Sequence, residues 1–143
     1  MLDDDPGTQV EAEVQYDVDA LIASVARDLA ELFNTRRSPP ELPLESPEAE
    51  KSVIAYGLPD LTNVNPRSER DRVLLVRMME DAVRTFEPRL TRVRLALADE
   101  DPLSGHLRFR LDGLLKVSPR PIEVTFDTVL QPATRSFAVK EGG

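Results

Sequence analysis

Apolar residues follow two different rhythms along this chain, and the change between them separates a helical half from a strand half. Val18, Leu21, Ile22, Val25, Leu29, Leu32 and Phe33 recur at the three- and four-residue spacing of one helix face. Asp19, Ser24, Arg27, Asp28 and Glu31 fall on the opposite face. Asp17 is the expected N-cap, because its carboxylate can accept from the free amides of the first turn. Arg36 and Arg37 follow at the C-terminal end, where positive charge suits the helix dipole. A second helix is expected from Ser68, which with Asp71 three residues on resembles a capping box, and Pro66 suits the turn into it. Leu75, Met79, Ala82, Val83 and Phe86 form its apolar stripe, with Arg77, Glu80, Asp81 and Arg84 facing out. Pro88 disfavours helical geometry at Glu87, so the helix ends there.

From Leu90 the period becomes two. Val93, Leu95 and Leu97 alternate with Arg92, Arg94 and Ala96; Leu107, Phe109 and Leu111 alternate with Arg108, Arg110 and Asp112. Ile122, Val124 and Phe126 alternate with Glu123, Thr125 and Asp127, and a last short run holds Phe137 and Val139. Turns are expected at 99–105, at 118–121 and near Gln131-Pro132. These intervals are too short for helical crossovers, so strand pairing should be antiparallel. The fold expected is α+β, with two main helices packed on a small, mostly antiparallel sheet of three to four strands.

Prolines and acids mark what lies outside these elements. Residues 1–16 are polar and acidic and read as a flexible tail, leaving a single domain over 17–143. Pro39, Pro40, Pro43 and Pro47 make 38–50 an extended connector, since such a stretch neither continues a helix nor enters a central strand. The run from Ser52 to Leu61, closed by Gly57 and Pro59, reads as a tight and partly buried corner.

Composition narrows the function classes. The 143 residues carry 26 acidic and 18 basic side chains, a net charge of -8 that repels phosphate backbones and argues against general nucleic-acid binding. Without cysteine there is no disulfide, thiolate metal site or cysteine nucleophile. No apolar run approaches the roughly 20 residues needed to span a bilayer, and Met1-Leu2-Asp3-Asp4-Asp5 does not begin as a signal peptide does. His106 is the lone histidine, beside Gly105 in a turn, and no Gly-rich phosphate loop or nucleophile elbow accompanies it. No catalytic residue, metal ligand or cofactor site is assigned. Carboxylates abound, but no pair is placed by spacing as a glycosidase acid and its partner, and aromatic residues for a sugar cleft are scarce. Arg92, Arg94, Arg108 and Arg110 fall on the polar face of two neighbouring strands, where like charges directly opposed are unfavourable. Two readings follow: acids such as Glu123 and Asp127 interleave with them, or the strip faces an acidic partner.

Three short pieces, in order, carry a family resemblance. The segment from Arg27 through Asp28, Leu29, Asn34, Thr35 and Arg36 to Arg37 resembles a helix-end signature of TssE proteins, the type VI secretion baseplate wedge subunits. The corner Tyr56-Gly57-Leu58-Pro59-Asp60 is similar to one in that family, and Glu87-Pro88-Arg89 matches the Glu-Pro-Arg motif it places between second helix and sheet. The resemblance spans about residues 18–139. It implies a cytoplasmic scaffold, not an enzyme, at a baseplate docked on the inner membrane, six copies per baseplate. The implied partners are TssF- and TssG-like wedge proteins, a TssK-like adaptor and a TssB/TssC-like sheath, with the tail tube and spike proteins nearby. No nucleic acid and no membrane insertion are implied.

The resemblance also suggests roles for single residues. Glu87, Pro88 and Arg89 project from a rigid corner, and partner contact is favoured over an internal ion pair because the motif lies at the wedge core. Arg27 and Asp28 read as an exposed helix pair. Asn34 and Thr35 read either as helix terminators or as contacts to TssF or TssG, with Arg36 beside them. The strand near Phe137 is the expected edge for a sheath strand. The alternatives are a wedge subunit of another contractile machine, a free adaptor binding through the arginine strip, and a lysozyme-like murein hydrolase.

Overall fold

A computed structural model describes residues 6–37 and 56–142, with side chains from residue 17 onward. The first helix, α1, runs Pro6–Asn34. It begins well before the expected cap at Asp17, so the tail expected over 1–16 is corrected from Pro6 onward. The sequence holds the reason. Proline is well suited to the first helical position, where its missing N–H has no helical partner anyway. Val10 and Val14 also extend the Val18 stripe at four-residue spacing. Residues 1–5 and the proline-rich connector at 38–50 lie outside the described residues.

The second helix, α2, spans Glu69–Phe86 as expected. Ser68 Oγ accepts from the Asp71 amide at 3.3 Å, while the Asp71 carboxylate reaches back to the Asn65 amide at 2.8 Å. The reciprocal bond of a capping box is therefore made three residues earlier than the motif suggests. Leu75, Met79, Ala82 and Val83 are its buried stripe.

Four strands follow: β1 Leu90–Glu100, β2 Leu107–Leu115, β3 Ile122–Gln131 and β4 Ser136–Glu141. They form one antiparallel sheet in the order β1-β2-β3-β4, so β1 and β4 are its edges. Two register slips bend β1, between Thr91 and Arg94 and between Leu97 and Asp99. Arg92 sits in the first with a φ of 51°.

Both helices cover one face of the sheet, α1 over β4 and α2 over β1. One continuous cluster fills the space between, with Phe33 and Leu29 from α1, Leu75 and Met79 from α2, and Phe109, Leu111 and Phe126 from the sheet. Each such side chain contributes about 1.5–3 kcal/mol on burial. The corner joins this core through Leu58 and Leu61, both buried. Leu58 lies parallel to Arg36 in a single bridge, with the Leu58 amide donating to Thr35 and the Arg37 amide donating to Leu58, at 2.8 and 2.9 Å.

Candidate functional site

The turn from α2 into β1 is built by Glu87, Pro88 and Arg89. The Glu87 amide still bonds the Val83 carbonyl at 2.9 Å, and the Leu90 amide returns to the Glu87 carbonyl at 3.2 Å. Pro88 thereby takes the second position of a tight turn, where its fixed φ suits the backbone. The turn directs Glu87 inward, leaving it 4% exposed. Arg89 closes on it as a fork, Nε to Oε1 at 2.6 Å and Nη2 to Oε2 at 2.7 Å, and the Arg89 amide adds a bond at 3.2 Å. The same guanidinium reaches Ser24 Oγ at 3.3 Å and the Asp28 carboxylate, both on α1.

A buried carboxylate is tolerated only when its lone pairs are satisfied, and here one arginine satisfies both oxygens. The bond from Glu87 raises the Arg89 pKa above its ordinary value, burial opposes, and Asp28 adds to the rise. Glu87 and Arg89, read from sequence as contacts to a partner, thus make their observed bonds to each other and to α1. What remains outward is the rim: the Arg89 side chain is 32% exposed and that of Asp28 53%. Asp28 pairs with Arg89 and not with Arg27, since neighbours one residue apart on a helix do not face each other. Arg27 is exposed and has no ion-pair partner among the described residues. Beside this corner Tyr56 packs edge-on against Phe86, with centroids 5.1 Å apart. Burial pushes its hydroxyl pKa up, with Glu31, Asp28 and Glu87 adding.

Asn34, Thr35 and Arg36 all finish α1 with bonds inside the chain. The Thr35 amide and hydroxyl both donate to the Glu31 carbonyl, at 2.9 and 2.7 Å. Arg36 turns back to the Phe33 carbonyl and reaches the Arg135 carbonyl at 2.7 Å, its guanidinium 5.9 Å from the Phe137 ring centre. Asn34 bonds the backbone of Phe137 twice. Phe137 itself is buried at 5% and packs on Phe33 with centroids 5.6 Å apart. Its ring thus belongs to the core, and its outward backbone groups, expected from the sequence to meet a sheath strand, bond Asn34 within the chain. Arg135, which no sequence pattern singled out, knots the β3–β4 turn to the corner. Its Nε donates to the Leu61 carbonyl at 3.1 Å and its Nη2 to that of Thr62 at 3.2 Å.

The two edges of the sheet differ. On β1, Glu80 accepts from the Leu95 amide at 2.9 Å and Arg84 donates to the Val93 carbonyl at 3.1 Å, so helix side chains cover that edge. On β4, Asn34 covers the rung at Phe137. Strand alternation turns the amide and carbonyl of Val139 and Glu141 to the same outer side, and these have no partner among the described residues.

The face of the sheet away from the helices carries the arginine strip. Register separates the charges, with Arg94 opposite Asp112, Arg108 opposite Asp99, and Arg110 opposite Ala96 and Asp127. No two of these arginines are directly opposed, so the repulsion anticipated from the sequence does not arise. Asp112 accepts from Thr125 Oγ1 at 2.8 Å and from Arg110 Nε at 3.1 Å. Arg92, Arg94 and Arg108 stay exposed without an ion pair among the described residues. A shallow concavity of about 440 Å³ runs from Arg92 and Arg94 past Arg110 to Glu123 and Thr125.

Among the described residues no group of three or more His, Cys, Asp or Glu side chains is arranged to hold a metal. Among them, too, no helix is long and apolar enough to cross a membrane. The family model described as baseplate wedge protein gp25 matches residues 19–120. No curated protein and no solved structure matches the chain.

Proposed function

The chain belongs to the gp25 family of baseplate wedge proteins, a structural component of contractile injection systems, and we propose that it is the TssE-type wedge subunit of a type VI secretion system. In this reading it stands with TssF- and TssG-like proteins around the tail tube, near a TssK-like adaptor, and receives the first ring of a TssB/TssC-like sheath. The helix-end segment from Arg27 to Arg37 supports the type VI assignment through its resemblance to TssE proteins.

The observation that carries the docking role is the inequality of the sheet edges. Glu80 and Arg84 cover β1 at Leu95 and Val93 and so interrupt it as a template, whereas β4 from Val139 onward keeps donors and acceptors free among the described residues. A sheath strand added there would run along β4 beyond the rung that Asn34 occupies. Arg92, Arg94 and Arg108, exposed and without an ion pair among the described residues, give the helix-free face a cationic strip for acidic wedge surfaces. The outer rim of the Glu87–Arg89 corner, with Asp28, offers a second contact whose geometry is fixed from within.

Co-purification of the tagged chain with its TssF-, TssG- and sheath-like neighbours tests this. Val139→Pro removes one outward donor while leaving the β3–β4 ladder intact, so the variant should fold and retain the wedge proteins but lose the sheath. Sheath recovery equal to that of the native chain would rule out docking at this edge. Failure of the native chain to retain any wedge protein would rule out the type VI assignment.

A further inference from the structure

The first turns of α2 and the far end of β1 enclose a groove of about 630 Å³ that the role above leaves unused. Val73, Val76 and Leu97 supply its apolar lining, and Arg67, Arg72 and Arg77 its charge. Val73 is 50% exposed, so its aliphatic surface in the groove is open to a ligand. Arg72 is anchored, to Glu100 at 2.6 Å and to the Pro66 carbonyl at 2.6 Å. The side chains of Arg67 and Arg77 have no hydrogen bond or ion pair among the described residues.

Charge indicates what would fill it. In a chain of net charge -8, arginines converge here around exposed aliphatic carbon, opposed within the lining only by Glu69. A nucleic acid would meet that apolar lining with no aromatic ring to stack on and would be repelled by the chain as a whole. An acidic peptide meets both features, because carboxylates pair with arginine forks and an aliphatic side chain covers Val73 and Val76. The β1 edge adds a third element. Glu80 and Arg84 cap it at Leu95 and Val93, but among the described residues no side chain caps it at Leu97, where the groove opens.

We propose that this groove docks an acidic, aliphatic segment of a partner protein, with carboxylates on Arg67 and Arg77 and an aliphatic side chain against Val73, Val76 and Leu97. The proposal rests on these residues alone and does not depend on which contractile machine contains the subunit.

The test uses the full chain and a labelled synthetic peptide, acetyl-Asp-Asp-Leu-Leu-Asp-Glu-amide, followed by fluorescence anisotropy and by amide chemical shifts. Shifts should cluster at Val73, Val76 and Leu97, and binding should weaken as salt rises. Arg67→Glu with Arg77→Glu should weaken it by roughly tenfold, and Val73→Asp should do the same without a change of charge on the arginines. These residues are on the surface, and a thermal melt of each variant establishes that it folds; the shift map of the native chain decides the question in any case. Absence of clustered shifts would overturn the proposal, as would equal binding of the lysine-for-acid peptide. Self-association of the peptide-free chain that Val73→Asp abolishes would also overturn it, by assigning the groove to a second copy.

Discussion

Asn34 and Phe137, 103 residues apart, are joined as though by a strand pair: Asn34 Nδ2 donates to the Phe137 carbonyl at 2.9 Å, and the Phe137 amide donates to Asn34 Oδ1 at 2.7 Å. A primary amide has the same donor and acceptor as a peptide group, so the last residue of α1 stands in for one rung of a fifth strand. It holds the helix end on β4 and fixes where the free edge begins.

Asn34→Ala leaves both Phe137 groups without their partner, at a cost of about 1–3 kcal/mol for polar groups that are partly buried. Asn34→Asp keeps the acceptor but loses the donor and sets a carboxylate against the Phe137 carbonyl, so it should not rescue stability. Urea denaturation of the three proteins checks this, and an alanine variant as stable as the native chain would refute the stand-in role.

The Glu87–Arg89 fork predicts strong non-additivity. Arg89→Ala strands a buried carboxylate and should destabilise by about 3–5 kcal/mol, whereas removing both partners together costs less than the sum of the single changes. Arg89→Lys retains charge but not the fork, and should fall between native and Arg89→Ala. A double-mutant cycle by chemical denaturation measures the coupling. Additive losses would mean that the pair is incidental to the monomer. The same cycle bears on assembly: an alanine variant that fails to bind wedge proteins is informative only once its folding is measured.

Local chemistry made much of the fold legible. Ser68 and Pro88 bracket α2 because a cap and a helix-breaking proline act over a few residues, and the alternations around Phe109 and Phe126 identify strands because one face is buried and the other is not. The start of α1 was masked by acidic composition, although Pro6, Val10 and Val14 carried the signal. The site was less legible, because its meaning lies in contacts distant in sequence. Asn34 reads as a helix terminator or a partner contact until it meets Phe137, and Arg89 reads as a partner contact or half of a local ion pair until Ser24 and Asp28 close around it. Whether two arginines on adjacent strands oppose each other depends on register, which bulges in β1 shift and alternation alone does not give.

Gly57 marks the corner for a steric reason. Its φ is +98°, and a Cβ added there would lie 2.4 Å from the Thr35 carbonyl oxygen. That oxygen is the acceptor of the Leu58 amide in the bridge, so it has no room to retreat. Gly57→Ala should therefore cost about 1–3 kcal/mol and loosen the corner from α1. Faster amide exchange at Leu58 and Arg37 than elsewhere in the chain is the local signature to measure; unchanged exchange at both would contradict it.

Acid sensitivity should trace to two turns and the helix-free face of the sheet, and not to the core. Asp60, Asp101 and Asp112 all have pKa values below the ordinary 3.8. Asp60 is lowered first by the Thr62 hydroxyl and then by the Thr62 amide at 2.9 Å, and Asp101 first by the Leu103 amide at 3.0 Å and then by Ser104. At Asp112 burial works upward, and the Thr125 hydroxyl with Arg110 outweighs it. A carboxylate whose native pKa is depressed contributes stability that is present above its unfolded pKa and is lost as pH falls through the native value. The loss should thus set in as pH drops through 3.8 and continue below it. Asparagine keeps the accepting oxygen at each position but cannot titrate. The triple variant Asp60→Asn, Asp101→Asn, Asp112→Asn should therefore melt below the native chain at neutral pH, lose less stability in acid and converge with the native chain there. Thermal melts across the acid range would show this as a shallower fall of Tm; parallel curves for variant and native chain would mean that acid acts through other carboxylates, with the Glu100 partner of Arg72 and the Glu80 partner of Arg84 the next to replace.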